Sequence, residues 1–165
     1  MRSVQVKSAE DAKKYVEKNS IDYIKVGIFD IDGVLRGKYL SREKFLSALK
    51  SGLGFCDVTL GWDIDDQLYN NVSYTGWHTG YPDAKANIIP DSCRELIDEK
   101  NSCLFLLDFA DEAEKICPRG LLKRVIKRAE SMGFLANSAF EFEFFLFDET
   151  PQSARDKHFV NLNPY

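Results

Sequence analysis

The run Tyr23-Ile24-Lys25-Val26-Gly27-Ile28-Phe29-Asp30-Ile31-Asp32-Gly33-Val34-Leu35-Arg36-Gly37-Lys38-Tyr39-Leu40 decides the fold class. Tyr23 to Phe29 is apolar, with the aromatic and β-branched content of a strand. Val34 to Leu40 is a second short run of the same kind. Between them stands Asp32-Gly33, and Asp-Gly between two such runs is a strong signal for a tight antiparallel hairpin. Asp30 and Asp32 then supply turn chemistry, since short acidic side chains bond to backbone groups a residue or two away.

Elements of both kinds flank the hairpin. Ser8, with Asp11 three residues on, opens a helix whose apolar stripe is Ala12, Tyr15 and Val16 and which fades near Asn19-Ser20. Ser41 caps a second helix carrying Phe45, Leu46 and Leu49, and Gly52 stops it. Leu53 to Gly80 is broken by glycines and set with aromatics, and predicts short strands and loops, a pattern often functional. Tyr81-Pro82-Asp83 is a turn, and Ala84 to Ile89 and Ser102 to Phe109 read as strands. From Pro118 to Gly133 the spacing predicts a helix with Leu121, Leu122, Val125, Ile126, Ala129 and Met132 on its buried face. Lys123, Arg124, Lys127 and Arg128 form its solvated face. Short strands follow at Phe134 to Ala136 and Phe140 to Phe147, and the chain after Thr150-Pro151 reads as polar loop. The layout is α+β, with a small domain over residues 20–112 and a partial second unit over residues 113–165.

Composition narrows the function. The chain has 165 residues, 44% hydrophobic, 13% aromatic and 29% charged, as a soluble globular protein does. A net charge of −4 argues against a general nucleic-acid binder. No apolar run approaches the roughly 20 residues that span a bilayer, and the first residues lack the apolar core of a signal peptide. Cys56, Cys93, Cys103 and Cys117 are scattered, which reads as reduced thiols in a cytoplasmic protein. Two histidines leave no Cys/His zinc spacing and no nucleophilic triad. No Gly-rich phosphate loop is present.

The segment Phe140-Glu141-Phe142-Glu143-Phe144-Phe145-Leu146-Phe147 carries the most chemistry. In a strand, Glu141 and Glu143 share one face, roughly 6–7 Å apart along the chain. Paired carboxylates suit two neighbouring hard divalent ions such as Mg²⁺ or Mn²⁺. They equally suit the wet face of a half-buried strand. The residues alone leave both readings open.

Two family resemblances bear on the hairpin. Ile28-Phe29-Asp30-Ile31-Asp32-Gly33-Val34 resembles the first motif of haloacid-dehalogenase-type phosphatases, with Asp30 as nucleophile and Asp32 as general acid/base. That family needs a doubly wound parallel sheet, against which the hairpin signal speaks. The second resemblance runs in order along nearly the whole chain. Val26 to Lys38 resembles the opening hairpin of glutamine synthetase family proteins, and Tyr81-Pro82-Asp83 with the strand after it resembles their next landmark. Pro118-Arg119-Gly120 is similar to the start of their catalytic domain, with Cys117 where Asp is common, and Glu141 to Phe147 is similar to their metal strand.

The resemblance implies a β-grasp-like N-terminal domain followed by the first helix and strands of a catalytic domain. It implies a ligase of nitrogen metabolism and glutamine biosynthesis, oligomeric in a ring of identical copies. The implied reaction joins ammonia or an amine to the γ-carboxylate of glutamate through an acyl phosphate, with ATP as co-substrate and Mg²⁺ or Mn²⁺ as cofactor. A γ-glutamyl-amine ligase is one form of such an enzyme. By position, Glu141 and Glu143 match metal ligands, and Asp57 matches a catalytic acid offered to the amine pocket of a neighbouring subunit. The lengthened Trp62 to Trp77 segment departs from the commonest form and leaves the amine open. Family members run on for several hundred residues, so 165 residues alone are expected to lack ligase activity. A non-catalytic module that reuses the fold is the remaining alternative.

Overall fold

Cap side chains and a glycine set the local frame. The computed structural model describes residues 1–165. Helix α1 (Ala9–Lys18) starts where the Ser8 hydroxyl accepts from the Asp11 backbone N–H, and ends at Asn19. Helix α2 (Arg42–Ser51) starts where the Ser41 hydroxyl accepts from the Lys44 N–H. It stops at Gly52, whose φ of 75° is costly for any residue with a Cβ.

Strand β1 (Arg2–Ser3) precedes α1, and β2 (Tyr23–Phe29) follows it. β2 pairs antiparallel with β3 (Leu35–Ser41) from Tyr23↔Ser41 to Phe29↔Leu35, closing the expected hairpin. After α2 come β4 (Leu53–Cys56) and a short 3₁₀ turn, Asp57–Leu60. Then β5 (Asp83–Ile88), β6 (Arg94–Glu95) and β7 (Ser102–Phe109) complete a seven-stranded mixed sheet. β7 lies parallel to β2, in the register Tyr23↔Ser102 to Gly27↔Leu106. On its other side it pairs antiparallel with β6 and with β5. A hairpin, a helix and a return strand parallel to the first hairpin strand make the expected β-grasp-like frame.

Alternation then builds the core. Ile24, Val26 and Ile28 of β2 and Cys103, Phe105 and Leu107 of β7 point one way and are buried. They meet Ala12 and Val16 of α1 and Phe45 and Ala48 of α2. The rings of Phe45 and Phe105 pack at a tilt of 43°, 4.8 Å between centroids. Val6 joins the same cluster, so the residues before Tyr23 are packed into the sheet's core. The cluster ends at Cys117.

Beyond it the structure departs from the sequence pattern. A helix α3 (Asp111–Ile116) precedes α4 (Pro118–Ser131). α4 occupies the expected span, but its expected buried face is bare, with Leu122 58% exposed and Met132 62% exposed. Among its residues only Gly120 is buried, where the helix start meets the Glu114 carbonyl. Two of the basic residues expected to be merely solvated are engaged. Lys123 pairs with Asp108, and Arg124 bonds to the carbonyls of Glu114 and Lys115.

Residues 134–136 and 140–147 form no ladder. The only pairing there is a single antiparallel bridge, Phe147↔Pro164. A strand needs a partner for its backbone groups, and none of this chain's seven strands lies beside it. Phe140 is 93% exposed as a result. The tail expected to be loop holds α5 (Pro151–Asp156), started by a capping box between Thr150 and Ser153.

Candidate functional site

The residues after β4 carry the best-defined buried carboxylate outside the hairpin. Asp57 begins the 3₁₀ turn, 3% exposed. Its backbone N–H donates to the Pro82 carbonyl at 3.0 Å, which ties the turn to the start of β5. The Thr75 hydroxyl, 1% exposed as a residue, donates to Asp57 Oδ1 at 2.6 Å. That length is typical of a strong bond to an ionised oxygen. The second oxygen receives no hydrogen bond from the protein. Gly61 packs on Thr75 so closely that a Cβ there would lie 2.7 Å from the Thr75 methyl. Tyr74 sits beside Asp57, and burial followed by that carboxylate pushes its hydroxyl pKa up.

The hairpin tip closes over the same turn. Asp30 is wholly buried and accepts from the Asp32 N–H, the Val34 N–H and Arg36 Nε. Asp32 is exposed and accepts from the Ile64 N–H at 3.0 Å. The Ile31 N–H donates to the Thr59 carbonyl. The phosphatase reading of Asp30 and Asp32 does not survive this. β2 turns back as an antiparallel hairpin, and the would-be nucleophile is enclosed, its oxygens held by two N–H groups and a guanidinium.

Glu141 and Glu143 lie far along the chain, both exposed, on the extended segment that lacks a ladder. Two carboxylate donors suit a hard divalent ion in kind. In number they do not complete a shell, and no group of three or more His, Cys, Asp or Glu side chains converges anywhere in the structure. No helix is long and apolar enough to cross a membrane.

Sequence reasoning missed Thr75 and Arg36. Thr75 stands 18 residues from Asp57 inside an irregular loop, where no periodicity points to it. The usable signal for Arg36 was its place six residues after Asp30, on the opposite arm of a tight turn.

The fold agrees with comparisons to known proteins. Residues 115–164 match the family model "Glutamine synthetase, catalytic domain". The chain belongs to the glutamine synthetase family. It is similar to type-1 glutamine synthetase 2 of Dictyostelium discoideum, 45% identical over 145 residues, which are 86% of this chain and 28% of that protein. It is also similar to glutamate–isopropylamine ligase of a Pseudomonas species, 35% identical over 158 residues, 92% of this chain and 34% of that protein. In three dimensions it matches a cryo-EM structure of Plasmodium falciparum glutamine synthetase with a TM-score of 0.59 at 20% identity. That match covers 81% of this chain and 24% of the other. The chain thus spans about a third or less of the length of these relatives.

Proposed function

We propose that this chain contributes to an ATP-dependent ligase that joins ammonia or an amine to the γ-carboxylate of glutamate. Residues 20–112 carry the amine-site acid, Asp57, and residues 113–165 carry two metal carboxylates, Glu141 and Glu143. The observation that carries the reading is the state of Asp57. A buried carboxylate with one oxygen engaged by Thr75 and the other free of protein donors suits an ammonium or alkylammonium ion. Such an acid can hold the cation and help take its proton. Offering it to a neighbouring copy makes a ring-shaped homo-oligomer the working form. Glu141 and Glu143 would hold Mg²⁺ or Mn²⁺, and bound ions of this kind offset charge repulsion in phosphoryl transfer. Four free thiols support a reducing, cytoplasmic setting.

The test is glutamate- and amine-dependent ADP release by the assembled ligase that carries this chain. Asp57→Asn is expected to lower kcat/KM for the amine by roughly 10²-fold, with the KM for ATP unchanged. An unaltered amine dependence would overturn the reading.

A further inference from the structure

We infer that Arg36 and Asp32, at the tip of the β2–β3 hairpin, are positioning residues for Asp57, acting as a latch on residues 61–75. The inference rests on the reading of Asp57 as the amine-site acid. Its basis is a set of contacts that converge on one loop.

Arg36 uses its whole guanidinium. Nε donates to Asp30 Oδ2 at 2.8 Å, Nη1 meets Asp66 Oδ1 at 2.6 Å, and Nη2 reaches the Asp63 carbonyl at 3.4 Å. Its plane also lies 4.8 Å from the centre of the Trp62 ring. Asp30 is itself immobilised by the hairpin turn, so the guanidinium is anchored at one end to the sheet and at the other to the loop. A planar fork with several donors does this, and a lysine cannot. Asp32 adds a second attachment, accepting from the Ile64 N–H and, at 3.4 Å, from the Tyr69 hydroxyl. Tyr69 in turn sends its N–H to the Gly61 carbonyl, and Gly61 bears on Thr75. From the hairpin tip to the Asp57 carboxylate the chain of contacts is unbroken.

Trp62 says what holds the loop. Its indole N–H is buried and makes no hydrogen bond to another protein group. The ring sits where the Arg36 stack and the loop bridge Trp62↔Leu68 put it.

The experiment uses the full chain carrying Trp77→Phe, which leaves Trp62 as the sole indole. Arg36→Met is expected to quicken amide exchange across residues 61–75 by roughly tenfold or more, to make Trp62 more open to acrylamide quenching, and to erase the NMR signal of the Thr75 hydroxyl proton. Exchange at Val26 and Phe105 in the sheet stays at the parent level. Arg36→Lys should restore little. Asp32→Ala, at an exposed position, gives the same loop-only release and serves if Arg36→Met does not fold. In the assembled ligase these variants raise the KM for the amine and leave that for ATP unchanged. Unchanged exchange over residues 61–75, or loosening of loop and sheet in step, would overturn the latch. Failure of the Asp57→Asn assay with the loop result intact would instead overturn the role of Asp57.

Discussion

Replacing Thr75 by valine removes one hydroxyl and keeps the side chain's shape. Thr75 and Asp57 are 1% and 3% exposed, so water cannot easily take the place of the lost donor. The bond it deletes is 2.6 Å long and ends on a carboxylate. Hydrogen bonds to charged groups contribute about 1.5–3 kcal/mol, and the valine methyl also faces an acceptor left unpaired, so Thr75→Val should cost about 2–3 kcal/mol. With a urea m-value of about 2 kcal/mol/M, the midpoint falls by roughly 1 M while the slope stays the same. Thr75→Ser keeps the hydroxyl and loses only the methyl that lies against Gly61, a loss of about 1 kcal/mol. Equilibrium urea unfolding, followed by circular dichroism, measures each. A cycle with Asp57→Asn isolates the pair: valine should cost at least about 1 kcal/mol less when Asp57 is already neutral. A Thr75→Val variant within about 0.5 kcal/mol of the parent, or strict additivity with Asp57→Asn, would refute the reasoning.

Three further outcomes are expected. Asp30→Asn turns an acceptor toward Arg36 into a donor and should destabilise the chain by roughly 2 kcal/mol in urea unfolding, while phosphate release from p-nitrophenyl phosphate stays at background in parent and variant alike. Gly120→Ala puts a Cβ 2.1 Å from the Glu114 carbonyl oxygen, so the α3–α4 elbow must shift. The net loss should be roughly 1–2 kcal/mol, read by thermal unfolding, with faster exchange in the first turn of α4. Glu149 is held at about 2, well below its ordinary 4.5, chiefly by Lys157, then by the Ser153 hydroxyl and the Asn163 N–H. A lowered carboxylate supports the native form in full above about 4.5 and loses that support as pH falls toward 2. The protection of the Asn163 amide, taken relative to its intrinsic exchange rate at each pH, should therefore fall across that window, and Glu149→Gln should reproduce the lost protection at pH 7.

What the sequence disclosed, and what it hid, follow a physical division. Local chemistry was legible. Ser8, Ser41 and Gly52 act within a few residues of themselves, and the structure uses each as its position implies. The hairpin followed from Asp32-Gly33 for the same reason. The apolar run along β7 identified a strand, although not its central place between β2 on one side and β5 and β6 on the other. Two-residue strands such as β1 and β6 have no periodicity to read. The segment from Phe140 to Phe147 has a strand's pattern without a partner, and pattern alone forms no ladder. Thr75 was invisible because its meaning lies in a carboxylate far away in sequence.

The parallel pairing of β2 with β7 has a consequence for how the protein is made. Tyr23 waits for Ser102, and Val26 for Phe105, so nearly eighty residues must leave the ribosome between two partners that touch. Until β7 emerges, the nascent chain holds a hairpin and two helices whose apolar sides lack Cys103, Phe105 and Leu107, which they pack against in the finished core. Loop closure over that distance sets a slow entry to the sheet. The interval when Ile24, Val26 and Phe45 are bare is the one in which a chaperone would have most to bind.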